Sequence, residues 1–258
     1  MINRLVEMVR QRRGRKTLYS TEEYWDSKAA LFQDTAVSMW PNRVLNELYD
    51  AEQKRVIADY FSRVDGRTLL DLGCGTGRFS RWFASQGAAV VGVDFSRDSL
   101  AIARGIAGAG DNPTYRHGSV FELDELEGYD LVFTWGVLTI ACRDTLELLD
   151  ALTRIRSALK PGGRLLLTEP VHRGFLHRVL DLGLPQFLDV MRQAGFEIEA
   201  TTPLHFWPMR LALSYIQWPA WITVPGYHIG QALMKLPGLS RLGDYWAISA
   251  HTASRASE

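Results

Sequence analysis

The sequence predicts an α/β protein built on a doubly wound, mostly parallel sheet of seven strands. From Arg67 onward, short apolar runs each end at a glycine or a carboxylate and each precede a segment with helical spacing. This alternation is typical of a parallel sheet covered by helices. The chain has 258 residues, of which 47% are hydrophobic, and one core can still grow at this size. We therefore predict one large domain with additions.

The charge balance and the cysteines exclude several classes of protein. The chain has 29 Lys and Arg residues against 29 Asp and Glu residues, so it lacks the basic excess that binding to a phosphate backbone requires. This argues against DNA as a partner and leaves RNA a minor alternative. Cys74 and Cys142 are far apart and lie in no Cys/His cluster, which predicts no metal site and a reducing, cytoplasmic location. We expect no signal peptide and no spanning helix.

Two segments precede the predicted sheet. Residues 1–18 predict a short basic amphipathic helix, because apolar residues recur at helical spacing among arginines. Residues 19–65 predict a helical cap with two helices, at Glu22–Phe32 and at Asn42–Val64. Thr21 is the predicted N-cap of the first of these helices.

Residues 66–201 predict the core of the fold. Its strands are expected at Thr68–Leu72, Ala89–Val93, Thr114–His117, Leu131–Thr134, Arg164–Thr168 and Phe196–Thr201. Its helices are expected at Arg78–Ser85, Arg97–Gly105, Asp144–Leu159 and Gln186–Ala194. Ser96 is the predicted N-cap of the second of these helices, and Pro161-Gly162-Gly163 is predicted to end the third. Residues 244–258 hold the final strand, at Tyr245–His251, and a tail.

Residues 202–243 form an aromatic insertion between the last two strands. The insertion contains no Asp or Glu, and its prolines divide it into pieces too short to span a bilayer. Its aromatic residues include Phe206, Trp207, Tyr215, Trp218, Trp221 and Tyr227. We expect this segment to act as a substrate lid that lines an apolar pocket. A hydrophobic cap on the core and a homodimer interface are the alternatives.

A glycine loop is the strongest local signal. The strand Thr68–Leu72 runs into three glycines, at positions 73, 75 and 77, and then into a helix. Glycines let a ligand approach the backbone closely, and Asp71 can accept a hydrogen bond from an ammonium group. Seventeen residues beyond Gly77 lies Asp94, at the end of the next strand, where a carboxylate can bind both hydroxyls of a ribose. This pattern predicts nucleoside binding, with a tight turn that serves packing only as the alternative.

Four motifs in order resemble those of class I S-adenosylmethionine-dependent methyltransferases, and in particular the small-molecule, type 11 or UbiE-like members. The motifs are Asp71-x-Gly73-x-Gly75-x-Gly77, Val91-Gly92-Val93-Asp94-Phe95-Ser96, Tyr129-Asp130-Leu131-Val132 and Leu159-Lys160-Pro161-Gly162-Gly163. The resemblance covers residues 19–200 and implies a Rossmann-like fold with S-adenosylmethionine as cofactor. A nicotinamide enzyme favours the spacing Gly-x-Gly-x-x-Gly instead.

The resemblance also implies which residues bind the cofactor. It places the methionine moiety along the glycine loop, the ribose at Asp94 and the adenine at Ser119-Val120, where the family often has Asp. Tyr24 and Trp25 resemble an N-terminal motif whose aromatic ring closes over the cofactor, and packing on the core is the alternative. The full predicted set is Tyr24, Trp25, Asp71, Gly73, Cys74, Gly75, Gly77, Asp94, Phe95, Ser119, Val120, Thr134 and Trp135.

Two residues are candidates for acid–base catalysis. Methyl transfer needs alignment of the acceptor and exclusion of water, and a base only where the acceptor must lose a proton. His172 is the first candidate base, with an ordinary surface histidine as the alternative. Glu169 is a candidate catalytic acid or base, a substrate clamp, or a partner of a helix N-terminus.

These features predict an S-adenosylmethionine-dependent methyltransferase that acts on a small, largely apolar or lipid-linked metabolite. O-methylation is favoured, and N- or C-methylation are alternatives. The chemistry could also be non-methylating, or the substrate could be RNA or protein. The basic start and the tryptophans of the insertion further suggest a peripheral membrane contact.

Overall fold

The computed structural model describes residues 19, 21–32, 40–124, 126–174 and 178–252. Within these ranges the strands are β1 Thr68–Leu72, β2 Ala89–Asp94, β3 Thr114–His117, β4 Tyr129–Trp135, β5 Leu159–Glu169, β6 Phe196–Phe206 and β7 Gly243–Thr252. They form one sheet in the order β3-β2-β1-β4-β5-β7-β6. The first five strands pair in parallel, and β7 is antiparallel to both β5 and β6. The predicted fold class is confirmed.

The helices of the described residues cover both faces of this sheet. They are α1 Glu22–Phe32, α2 Arg43–Tyr60, α3 Arg78–Ser85, α4 Arg97–Ala107, α5 Leu138–Ala141, α6 Thr145–Ala158, α7 Leu184–Gln193, α8 Trp207–Ser214 and α9 Ala220–Met234. Ser96 caps α4 as predicted, since its Oγ accepts a hydrogen bond from the Ser99 N–H at 3.1 Å. Asn42 and Asp144, which were predicted as first helical residues, are instead the N-caps of α2 and α6. The predicted N-terminal helix of residues 1–18 lies outside the described residues.

The turn before β5 corrects one prediction. Helix α6 ends at Ala158, and β5 begins at the next residue, so Pro161-Gly162-Gly163 lies inside the strand and does not end the helix. Gly162 has a φ of +73°, and the register between β4 and β5 shifts between Tyr129 and Leu131. The Pro-Gly-Gly sequence therefore makes an irregularity in the strand, which is a common position for glycine with positive φ.

The core has two layers, one on each face of the sheet. Along β1, Leu69 faces one layer, and Leu70 and Leu72 face the other, because successive side chains of a strand alternate. The layer at Leu70 is completed by α6 and α7, and the layer at Leu69 by α2 and α3. With both faces covered, the sheet can expose functional groups only at its edges.

The aromatic insertion folds into two helices, α8 and α9, that pack against α2. Leu45 and Tyr49 of α2 form a buried cluster with Leu213 of α8. The Asn42 amide nitrogen donates to the carbonyl oxygen of Leu213 and lies 3.0 Å from the Thr223 hydroxyl. The insertion is thus fastened to the N-terminal part of the chain. No helix among the described residues combines the length and apolar character needed to cross a bilayer.

Candidate functional site

A cavity of about 550 Å³ opens where β1, β2 and β4 reach their carboxyl ends. Eight of the predicted cofactor-binding residues line it, namely Trp25, Gly73, Gly75, Asp94, Phe95, Ser119, Val120 and Trp135. Lining residues that the sequence analysis missed include Tyr19, Ser99, Phe121, Gly136, Val137, Ile140, Ala141, Arg143 and Glu147. The cavity lies where parallel sheets bind ligands, because strand ends and helix N-termini meet there.

The glycine loop forms one end of the cavity, and two of its glycines have different surroundings. A Cβ at Gly73 would lie 2.2 Å from Cγ2 of Val137, so the loop passes very close to the chain after β4. A Cβ at Gly75 would meet no atom within 4 Å. Both residues have positive φ, at +73° and +55°, which favours glycine. The loop therefore packs closely at Gly73 and leaves open space at Gly75.

Asp94 at the end of β2 joins the glycine loop to helix α4. Its Oδ2 accepts a hydrogen bond from the Gly75 N–H at 2.8 Å, and its Oδ1 accepts one from the Ser96 N–H at 2.9 Å. Burial raises the pKa of this carboxyl group, while the backbone hydrogen bonds lower it. A carboxylate offers about four lone-pair sites, so each oxygen can still accept a hydrogen bond from a ligand. This arrangement fits the two hydroxyls of a ribose.

Helix α1 and the residue Tyr19 before it form an aromatic wall of the cavity. Trp25 and Tyr19 line it, and the Trp25 indole N–H donates to the carbonyl oxygen of Tyr19 at 3.0 Å. Tyr24 packs behind them, with its ring centre 5.1 Å from that of Tyr19 and 5.2 Å from that of Trp25. Asp26 fastens the helix to the start of α4, since it accepts a hydrogen bond from the Ser96 hydroxyl at 2.6 Å. Of the two aromatic residues predicted here, only Trp25 contacts the cavity.

Four other predicted cofactor-binding residues are not part of the cavity lining. Asp71 is 2% exposed and accepts a hydrogen bond from the Ser80 hydroxyl at 2.6 Å, and burial raises its pKa to about 6. A Cβ at Gly77 would lie 2.2 Å from the Tyr115 hydroxyl, and the Cys74 sulfur packs against Gly92. Thr134 is buried and donates to Glu169. Oδ2 of Asp71 thus faces α3, and the expected contact between Asp71 and a ligand's ammonium group stays a prediction.

Glu169 at the end of β5 has a structural role. Its Oε1 accepts hydrogen bonds from the N–H groups of Val137 and Leu138 and from the Thr134 hydroxyl, and its Oε2 accepts them from the N–H and hydroxyl of Thr139. The residue is 0% exposed. Burial raises its pKa, while these hydrogen bonds lower it. Of the three predicted roles, these contacts match a partner of a helix N-terminus, since both oxygens hold the start of α5, and the catalytic role stays a prediction.

His172 is held by Asp244 at the start of β7. Its Nε2 lies 2.8 Å from the carbonyl oxygen and 3.2 Å from Oδ1 of Asp244, and Arg210 Nε lies 2.7 Å from Oδ2 of the same residue. Burial raises the pKa of Asp244, but Arg210 and His172 hold it well below its ordinary value. His172 is not among the residues that line the cavity. His172 thus lies beside the buried ion pair of Asp244 and Arg210, outside the lining of the cavity, and its role as a base stays a prediction. Asp244 was not among the candidates from the sequence.

The far end of the cavity is formed by the chain after β4. Ile140 and Ala141 of α5 lie there beside Arg143, whose Nε donates to Glu147 Oε1 at 2.8 Å. Strand periodicity could not reveal these residues, because α5 is only one turn long. The described residues contain no group of three or more His, Cys, Asp or Glu side chains placed to hold a metal ion.

Comparison with known proteins identifies the part of the chain that forms this cavity. Residues 69–163 match the family described as "Methyltransferase domain". They contain every cavity-lining residue except Tyr19 and Trp25. This part of the chain is a class I S-adenosylmethionine-dependent methyltransferase domain. S-adenosylmethionine is the cofactor of this class, and the open space at Gly75 and the free lone pairs of Asp94 fit it.

Relatives of this methyltransferase domain include two methyltransferases whose names refer to quinones. The demethylmenaquinone methyltransferase of Tropheryma whipplei (strain Twist) is 34% identical over 131 residues, which cover 51% of this chain and 53% of the relative. The ubiquinone biosynthesis O-methyltransferase of Paraburkholderia xenovorans (strain LB400) is 31% identical over 142 residues, which cover 51% and 57%. The chain therefore spans about half the length of the curated relatives it matches.

Solved structures share the fold of the methyltransferase domain and its additions. The [4+2]-cyclase SpnF superposes with a TM-score of 0.66 at 19% identity, over 92% of this chain and 96% of the other. The magnesium protoporphyrin IX methyltransferase of Synechocystis PCC 6803, solved with bound S-adenosylmethionine, gives a TM-score of 0.60 at 18% identity, over 93% and 97%. At these identities the likeness concerns the fold.

Proposed function

We propose that this protein transfers a methyl group from S-adenosylmethionine to a small, largely apolar acceptor. The observation that carries this proposal is the cavity at the carboxyl ends of β1, β2 and β4. The cavity joins an open glycine loop, an incompletely hydrogen-bonded carboxylate at Asp94 and apolar walls at Trp135 and Val137. Each of these features matches one part of an amino-acid nucleoside and leaves apolar surface for a second molecule.

The lining residues suggest how the cofactor is held. The backbone at Gly73 and Gly75 would follow the methionine moiety, and Asp94 would accept hydrogen bonds from the ribose hydroxyls. Ser119 and Val120 would lie against the adenine, opposite Ile140. When bound, S-adenosylmethionine supplies a methyl group activated by a positively charged sulfur. The rings of Tyr19 and Trp25 close one side of the cavity and would attract that charge.

The chemistry expected of the chain is alignment and exclusion of water. Titratable side chains in the described lining include Asp94 and Glu147, and both accept hydrogen bonds from their own chain. Neither is placed as a free base, and Glu169 and His172 are engaged elsewhere. The acceptor we propose therefore carries an acidic hydroxyl, such as a phenol or quinol, that gives its proton to water. The names of the two quinone relatives agree with this acceptor class, and the name of the ubiquinone biosynthesis enzyme also agrees with O-methylation.

A second function is favoured by one observation. The structural relative SpnF is a [4+2]-cyclase, so this fold also supports reactions other than methyl transfer. Under this alternative the same cavity binds S-adenosylmethionine, and no methyl group leaves it. RNA or protein methylation is a weaker alternative, because the balanced charge of the chain provides no evident polymer-binding surface.

Incubation with methyl-labelled S-adenosylmethionine tests the proposal. The full chain would be mixed with a panel of short-chain quinols and phenols, and label extracted into organic solvent would be measured. We expect transfer by the wild type and a strong reduction in Asp94→Asn. Asp130→Asn, which removes a carboxylate at the opposite edge of the sheet, is the matched control and should retain activity. Binding of the cofactor without transfer to any acceptor would favour the non-methylating alternative, and label in RNA or protein would favour a polymer substrate.

A further inference from the structure

The outer face of helix α9 is largely apolar. Among the described residues, eight large apolar side chains are strongly exposed, and five of these lie between positions 215 and 236. They are Tyr215, Ile216, Trp221, Ile229 and Leu236, with exposed fractions of 42, 55, 76, 53 and 51%. Along α9 the exposed residues on one side are Trp221, Pro225, His228, Ile229 and Ala232, of which only His228 is polar. A surface helix normally places charged residues there.

The inner face of α9 is firmly packed, so the apolar side faces outward. Thr223, Gly230 and Met234 are buried, and a Cβ at Gly230 would lie 3.2 Å from Cβ of Phe206. The Tyr227 hydroxyl and the Gln231 amide both donate hydrogen bonds to Glu52 of α2, at 3.2 and 2.8 Å. These contacts fix the rotation of the helix. The apolar stripe is therefore not available to the protein's own core.

The charges around this face favour an anionic partner. Residues 202–243 contain no Asp or Glu, although the whole chain has equal numbers of acidic and basic residues. Lys235 and Arg241 are exposed at the end of the insertion. An apolar centre with a tryptophan and a basic border is typical of helices that lie in the interface of an anionic bilayer. A second copy of the chain on this face would place the basic borders of the two copies against each other, and this repulsion is unfavourable.

The position of the insertion in the fold connects this face with the cavity. Strand β6 is antiparallel to β7, as is β5, so β6 ends at the same edge of the sheet at which the cavity opens. The first five residues of the insertion belong to β6, and its helices α8 and α9 follow the strand directly. We propose that the outer face of α9 docks the protein on a bilayer surface that carries anionic lipids. Only one part of this inference rests on the proposed function, namely that the bilayer supplies an apolar acceptor dissolved in it.

Flotation with lipid vesicles tests the proposal on the full chain. Vesicles of phosphatidylcholine, with or without phosphatidylglycerol, would be mixed with the wild type and with the double variant Trp221→Glu, Ile229→Glu. We expect the wild type to float with the anionic vesicles, and the bound fraction of the double variant to fall at least about tenfold. Leu126→Glu is the matched control, because Leu126 is 78% exposed outside the insertion, and it should float like the wild type.

Three results would overturn this assignment. The first is a wild type that binds neither kind of vesicle, and the second is vesicle binding that survives the double substitution. The third is sedimentation that shows a wild-type dimer dissociated by the double substitution, which would make the face an interface between copies. Circular dichroism checks that each variant is folded, and titration with S-adenosylhomocysteine tests the cofactor site separately. If vesicles bind while the cofactor and methyl transfer assays fail, the membrane face stands and the proposed function falls.

Discussion

The two halves of the sheet's carboxyl edge carry similar residues but use them differently. On the half formed by β1 and β2, Asp94 accepts hydrogen bonds from the N–H groups of Gly75 and Ser96 and still borders an open cavity. On the half formed by β5 and β7, Glu169 accepts five hydrogen bonds and is fully buried, and Asp244 is enclosed by Arg210 and His172. A carboxylate at a strand end is thus available for a ligand only where its own chain leaves lone pairs unused.

The largest expected change in stability follows substitution in the half of the edge formed by β5 and β7, whose carboxylates already accept hydrogen bonds from their own chain. Glu169→Gln places an amide NH2 group against the backbone N–H donors at the start of α5, so we expect a loss of about 3 kcal/mol in the free energy of unfolding. Urea denaturation measures it. Glu47→Gln, at an exposed position of α2, is the control and should change stability by less than about 0.5 kcal/mol. Unchanged stability with lost activity in Glu169→Gln would restore the catalytic interpretation.

A pH effect is expected from Asp71 beneath the glycine loop. Because burial raises its pKa to about 6 in the folded protein, the folded state binds more protons than the unfolded state between about pH 4 and 6. The stability conferred by protonated Asp71 is fully present below the pKa that Asp71 has in the unfolded chain, and it is lost as the pH rises through 6. Relative to Asp71→Asn, the wild type should therefore lose roughly 2 kcal/mol over this range. Parallel urea titrations measure the difference, and two curves with equal slope would contradict it.

Alanine substitutions at Gly75 and Gly66 distinguish the effect of backbone strain from the effect of ligand contact. Both have positive φ, at +55° and +70°, and a Cβ at either would meet no atom within 4 Å. Alanine at either position should cost about 1 kcal/mol in stability, because an L-residue is strained there. Only Gly75→Ala should also weaken binding of S-adenosylhomocysteine, since Gly75 lines the cavity. Equal affinities in the two variants would place the ligand away from the loop.

The sheet could be predicted from the sequence because its signals are local. The apolar runs and the glycine or carboxylate after each run located all seven strands, and Ser96 marked a helix start that the structure confirms. The two helices of the insertion were not predicted. Pro225 lies inside α9, and the rule that proline divides helices failed there because packing on α2 supports the helix.

The site could be predicted only in part, because burial and hydrogen-bond partners depend on tertiary structure. The motif pattern found Asp94 and the glycines, since a ligand-binding loop needs them at fixed spacing. It left three roles open for Glu169, which contacts the start of α5, and it could not tell that Asp244, which is 72 residues from His172, holds that ring. The expected substrate lid stays a prediction, and residues 207–242 contribute nothing to the described lining of the cavity.

Calorimetric titration with S-adenosylhomocysteine tests the central claim most directly. The claim is that the half of the edge with unused lone pairs binds the cofactor, so the wild type should bind and Asp94→Asn should bind at least about tenfold more weakly. Asp130→Asn is the control, because Asp130 accepts hydrogen bonds from Thr68 and Lys160 at the opposite edge, and it should retain wild-type affinity. No binding by the wild type at millimolar ligand, or equal binding by Asp94→Asn, would contradict the claim.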